Sequence, residues 1–220
     1  MTGPARAWWI RLPQCPSDES WDMTDPTGPS NYETLAVSVR RLIDATIRTE
    51  VSPEVVAAAA AKIDSVTNEL SAALMPGSFG ERTVDDGQPV AAGNAVIGIR
   101  NPSAPPLVIH HNDDGSVWTE FTLGAAYEGP PGHVHGGVIA LILDHVLGAP
   151  THKAGRPAYT GTLTLRYHRP TRLRRPLRSE ARIESVDGRK NFVVGSISDA
   201  DGPTVTAEGV FIHRRESPAS

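Results

Sequence analysis

A chain of 220 residues with 39% hydrophobic and 21% charged side chains can bury a sizeable core, which excludes a wholly disordered polypeptide. The single cysteine, Cys15, excludes an intrachain disulfide and a cysteine-built metal cluster. No run approaches the roughly 18 apolar residues of a membrane span or forms a signal-peptide core, so a soluble, cytoplasmic protein is expected. The net charge of −4 is unevenly spread: residues 1–150 carry 8 basic and 18 acidic side chains, residues 151–220 carry 13 basic and 7 acidic.

Residues 1–30 hold Trp8, Trp9 and Trp21 among Pro, Ser, Asp and Gly without a sustained period, and read as irregular. From Tyr32 to about Glu50, apolar residues at Leu35, Val39, Leu42, Ile43 and Ile47 recur at helical spacing. Ser52-Pro53 then supplies an N-cap and first turn, and an alanine run leading to Ile63, Val66 and Leu70 predicts a second helix. Residues 77–93, rich in Gly, Asp and Pro, read as a linker.

Beyond it the period shortens. Strands are expected near Ala95–Ile99, Leu107–His110 and Val117–Tyr127, with a hairpin at Asp114-Gly115. A Gly/Pro loop, Glu128 to Gly132, leads into the apolar stretch Val138 to Leu147, which covers every helical face and predicts an enclosed helix. Four strands follow, at about Ala158–His168, Leu177–Val186, Lys190–Ser198 and Thr204–His213, joined by turns at Asp187-Gly188 and Asp201-Gly202. The expected organisation is an extension over residues 1–90, an α+β domain over 91–216 with one helix wrapped by an antiparallel sheet, and a tail at 217–220.

The chemistry concentrates at the start of the apolar helix. Gly136 and Gly137 let a ligand approach the backbone, and the first-turn N–H groups can hold a developing oxyanion, with Gly137 the natural donor. His135 just before them either structures the loop or positions a substrate. Asp144 needs a partner or a use, because a carboxylate among apolar residues costs several kcal/mol when left alone. It can act as nucleophile, as general base for water, or as a structural acceptor for His145 or Thr160. Seven residues separate Gly137 from Asp144, about 10 Å along a helix, so one helix cannot bring both to the same carbonyl. A site shared between two copies of the chain is therefore expected. The arginines at 166, 169, 172, 174, 175 and 178 suggest a phosphate-bearing partner, but the acidic chain and the lack of any nucleic-acid-binding signature argue against nucleic acid.

Several of these residues also form a recognisable pattern. His135-Gly136-Gly137, Asp144 nine residues after His135, Thr160 sixteen residues further, Tyr167-His168-Arg169-Pro170 and Asp187-Gly188-Arg189-Lys190 together resemble acyl-CoA thioesterases of the phenylacetate-pathway type and, more closely, the human mitochondrial thioesterase-superfamily proteins. The resemblance covers some 85 residues, Glu128 to Arg214. It implies a hot-dog fold, hydrolysis of acyl-CoA, and a homodimer or dimer of dimers. It singles out Thr160 as the hydroxyl that orients water or Asp144, and Arg169, Arg189 and Lys190 as cations for the CoA phosphates. CoA is then part of the substrate, and no metal or further cofactor is implied. His145 and His133 depart from the family pattern, where a small residue and an aromatic occur. The alternative reading is a non-catalytic acyl-CoA-binding protein.

Overall fold

The computed structural model describes residues 31–80, 82–83, 89–105, 107–152 and 157–215. Trp8, Trp9, Trp21, Cys15 and the 217–220 tail lie outside them. The chain divides into two compact units between Ala104 and Pro105.

The first unit holds α1 (Asn31–Arg48), α2 (Pro53–Ser71) and a short antiparallel pair, β1 (Arg82–Thr83) with β2 (Pro89–Val90). Ala36 and Glu33 of α1 are buried, and the Arg100 guanidinium stacks 3.5 Å over the Tyr32 ring. Ala95–Ile99, expected as a strand, instead forms successive turns. The Asn94 side chain accepts the N–H groups of Val96 (2.7 Å) and Ile97 (3.1 Å), a local bond that competes with any sheet ladder.

The second unit contains β3 (His110–His111), β4 (Val117–Phe121), α3 (Gly136–Gly148), β5 (Ala158–Tyr167), β6 (Leu177–Asp187), β7 (Lys190–Asp199) and β8 (Gly202–His213). The expected strand at Leu107–His110 contracts to two residues. That at Val117–Tyr127 stops at Phe121, followed by a 3-10 turn at Ala125–Tyr127. The six strands form one antiparallel sheet in the order β3-β4-β6-β7-β8-β5. Glycines with positive φ sit at the hairpins: Gly115 (82°), Gly188 (56°) and Gly202 (104°). β5, the strand that follows the helix, crosses to the far edge and pairs with β8.

Ile139, Ile142, Leu143, Val146 and Leu147 of α3 are buried with Leu177, Ala181, Val193, Ile197, Val205, Ala207 and Phe211 of the sheet. Each large side chain buried this way contributes about 1.5–3 kcal/mol of transfer free energy. The result is an α+β domain of the hot-dog kind. It also departs from the sequence expectation in that the helix is not enclosed. The sheet of one chain covers one side of α3, and a 100° advance per residue turns Gly137 and Leu141 outward, with Val138, Asp144 and His145 only half-buried.

Gly195 of β7 lies under the helix, where an added Cβ would fall 2.6 Å from the Glu180 carbonyl and 2.7 Å from Leu147 Cδ1. Gly195→Ala is expected to destabilise the domain by about 1–3 kcal/mol, read from urea unfolding midpoints.

Candidate active site

The loop entering α3 is tied down by backbone bonds: Val134 N–H to Thr171 O, His135 N–H to Tyr127 O, and Gly129 N–H to His133 O, each 2.9 Å. His133 Nδ1 lies 2.9 Å from the Pro131 carbonyl, so this ring belongs to the loop's own hydrogen bonding. His135 is the N-cap, with extended backbone (φ −62°, ψ 133°), and its Nδ1 accepts the Gly137 N–H at 3.0 Å. Accepting through Nδ1 requires a ring without a proton there. Val138 and Ile139 N–H groups both point to the His135 carbonyl. Gly137's amide, expected to be free, is therefore capped. The first-turn N–H that makes no hydrogen bond among the described residues is that of Gly136.

Two turns along the same helix, Asp144 Oδ1 accepts the Thr160 hydroxyl at 2.8 Å, and its Oδ2 has no partner among the described residues. Strict alternation along β5 places Thr160 on one face with Thr162 and Thr164. The structure separates them by a register shift between Thr160 and Thr162. Thr160 pairs with Phe211, a core residue, whereas Thr162 and Thr164 pair with Val210 and the exposed Glu208. Gly161 sits in this irregularity, where an added Cβ would meet Ile212 Cδ1 at 2.9 Å and the Val210 carbonyl at 3.3 Å. At the other end of β5 the Tyr167 hydroxyl donates to the Gly136 carbonyl at 2.9 Å. That carbonyl shares a peptide unit with the Gly137 N–H, so the bond both orients and polarises the first turn of α3. Tyr167 carried no role in the sequence reading, although the Tyr-His-Arg-Pro block contained it. A glycine inside a threonine-rich strand was the available sign of the bulge.

Burial pushes the His145 imidazole below its ordinary pKa, and neighbouring His152 adds to this while Asp144 opposes it. His145 is thus a neutral ring beside the Asp144 carboxylate at neutral pH.

The expected phosphate-binding cations are used differently. Arg169 makes a two-pronged pair with Asp199, through Nη1–Oδ2 at 2.7 Å and a second Nη2–Oδ1 contact, and also donates to the Gly202 carbonyl at 2.7 Å. It pins the β7–β8 hairpin rather than standing free. Arg189 donates to the His213 carbonyl at 3.0 Å and receives the His213 N–H on its own carbonyl at 2.9 Å. Lys190 is exposed and without a partner among the described residues. Strand register puts Lys190 opposite Ile212, at the Ala158 end of β5, and Arg169 just past the Tyr167 end, about 30 Å away at ~3.3 Å per residue. Arg178, another member of the basic cluster, contacts Glu120 (3.1 Å), Glu180 (3.4 Å) and the Trp118 ring (4.4 Å). The cluster is in part internally neutralised. Among the described residues no group of three or more His, Cys, Asp or Glu could hold a metal ion, and no helix is long and apolar enough to cross a membrane.

A hot-dog sheet, a capped helix start and a carboxylate held by a strand hydroxyl define the class of domain. Residues 131–206 match the family model described as "Thioesterase superfamily". A crystal structure of a thioesterase superfamily protein is 40% identical, with a TM-score of 0.74 over 86% of this chain and 94% of that one. The chain belongs to the thioesterase superfamily. It is also similar to acyl-coenzyme A thioesterase THEM4 of Bos taurus, 29% identical over 108 residues, and of Mus musculus, 32% over 98 residues. These matches take in 44% and 42% of the relatives' own lengths, and 48% and 44% of this chain.

The Arg169 guanidinium holds the Asp199 carboxyl well below its ordinary 3.8, at about 2. A carboxylate with a depressed folded-state pKa contributes stability above its unfolded pKa and loses it as pH falls through the folded one. Asp199→Asn is therefore expected to lower the thermal midpoint at every pH above about 4, with the deficit shrinking between pH 4 and 2. A deficit that stays constant down to pH 2 would contradict the pairing.

Proposed function

We propose that the protein hydrolyses acyl-CoA thioesters at a site shared by two copies of the chain. The observation that carries this reading is the Thr160–Asp144 hydrogen bond, which orients one carboxylate oxygen and leaves the other open on the uncovered face of α3. The curated relatives named acyl-coenzyme A thioesterase support the substrate class.

Asp144 Oδ2 accepts a proton from water, and the hydroxide so formed adds to the thioester carbon. The carbonyl oxygen takes the negative charge and is held by the Gly136 N–H at the start of α3. The C–S bond then breaks, the CoA thiolate leaves and takes up the proton held on Asp144, and the free acid is released. Gly136 and Asp144 lie eight residues apart on one helix, about 12 Å, so the amide and the carboxylate at each site come from different copies.

Two features favour such pairing. The uncovered stripe of α3 includes Leu141, 39% exposed in the single chain. β5 is a ten-residue edge strand with no proline and one charged residue, Arg166, an edge that soluble proteins rarely leave unpaired. With two copies, the Tyr167 end of one β5 and the Ala158 end of the other come together, which brings Lys190 of one copy toward the Gly136 end of the other. Lys190 is then the cation available to a CoA phosphate, with Arg189 beside it.

The test is thiol release from a panel of acyl-CoAs. Asp144→Asn is expected to lower kcat by about 10²–10⁴-fold. Thr160→Val is expected to lower it by about tenfold or more with little change in KM, because it removes a hydrogen bond to a charged group. Equal release by wild type and Asp144→Asn would leave the non-catalytic acyl-CoA-binding reading in its place. Sedimentation at single-chain mass under turnover conditions would sink the shared site.

A further inference from the structure

The helix α2 has no place in the reading above. It has no buried residue: Val56, Ile63, Val66 and Leu70 are 47%, 39%, 49% and 50% exposed. Yet Val56, Ala59, Ile63, Val66 and Leu70 follow one another at steps of three, four, three and four, which is the seam of a coiled coil over two heptads. An apolar seam in this register fits another helix rather than water.

The flanks of the seam say which helix. On one flank stand Lys62 and Glu69, one heptad apart. Lys62 has no partner among the described residues, and the Glu69 carboxylate receives only the Ser65 hydroxyl at 3.4 Å. The other flank, Ala60 and Thr67, is uncharged. We propose that α2 pairs with α2 of a second copy as a short antiparallel coiled coil. In that arrangement Lys62 of each copy meets Glu69 of the other, twice by symmetry, since like flanks face each other in antiparallel pairs. The layers also match in size: Leu70 packs against Ala59, and Ile63 against Val66. A parallel pair would stack Ala59 on Ala59 and Leu70 on Leu70 and set Lys62 against Thr67, which leaves a void at one layer and no ion pair.

The orientation is testable in the full chain with its lone cysteine removed by Cys15→Ser. In that background Lys62→Cys/Glu69→Cys puts two thiols about 10 Å apart on one helix, too far for an intrachain bridge, but opposite each other across an antiparallel pair. Oxidation is expected to convert this double variant to a species of twice the chain mass on a non-reducing gel, while Lys62→Cys alone and Glu69→Cys alone stay at single-chain mass. Efficient cross-linking of Lys62→Cys/Thr67→Cys, the two positions a parallel pair sets against each other, would replace the antiparallel pair with a parallel one and overturn the proposal. A double variant that stays at single-chain mass would overturn it as well, whether the protein self-associates elsewhere or α2 binds a different partner. As a check on the ion pair itself, Lys62→Glu is expected to abolish α2 pairing and Lys62→Glu/Glu69→Lys to restore it, read from whether these changes prevent and permit a cross-link between cysteines placed at Ala60 and Thr67 on the opposite flank.

Discussion

A helix apolar on all its faces, but covered by its own sheet on one side only, sets the terms for the rest of the second unit. The buried side, Ile139, Ile142, Leu143, Val146 and Leu147, holds α3 against the sheet. The other side keeps Gly137, Leu141 and Asp144 at or near the surface of the single chain. A stripe of this kind is unfavourable in water, and its stability depends on being covered. The same stripe carries the groups suited to chemistry on a carbonyl, so in the proposed pair the covering surface and the reaction site coincide.

Local devices hold the two ends of that stripe. At the N-terminal end, His135 caps the helix and Tyr167 fixes the Gly136 carbonyl, which leaves the Gly136 amide as the open donor. Further along, the bulge at Gly161 rotates Thr160 out of phase with Thr162 and Thr164 and delivers its hydroxyl to Asp144. One strand, β5, thus supports both ends of the helix, with Tyr167 and Thr160 on the same side only because one register slip lies between them. Next to Asp144 on the helix stands His145, whose imidazole burial pushes below its ordinary pKa.

The charged residues illustrate how pairing alters a functional reading. Arg169 stands in a run of arginines suited to phosphate, yet Asp199 and the Gly202 carbonyl engage its guanidinium and close the β7–β8 hairpin. Arg178, although exposed, likewise contacts two glutamates and an indole. Two members of the basic cluster, Arg169 and Arg178, are thus tied into ion pairs by the fold, while Lys190 on β7 is left to solvent.

The amino-acid sequence by itself determined most of the elements and which residues stand as candidates for chemistry. Period and composition placed α1, α2, α3 and the four long strands within a few residues, because amphipathic spacing and Gly-containing turns act over short stretches of chain. The Gly-Gly helix start and the carboxylate within an apolar run were legible for the same reason. Tertiary structure alone decided what depends on residues far apart in the chain. It set the crossing of β5 to the edge beside β8, the half-covered state of α3, the reach of Thr160 across sixteen residues to Asp144, and the commitment of Arg169 to Asp199 thirty residues on. It also transferred the open amide from Gly137 to Gly136, because whether a capping imidazole turns inward depends on the loop bonds around His135 rather than on the order of residues.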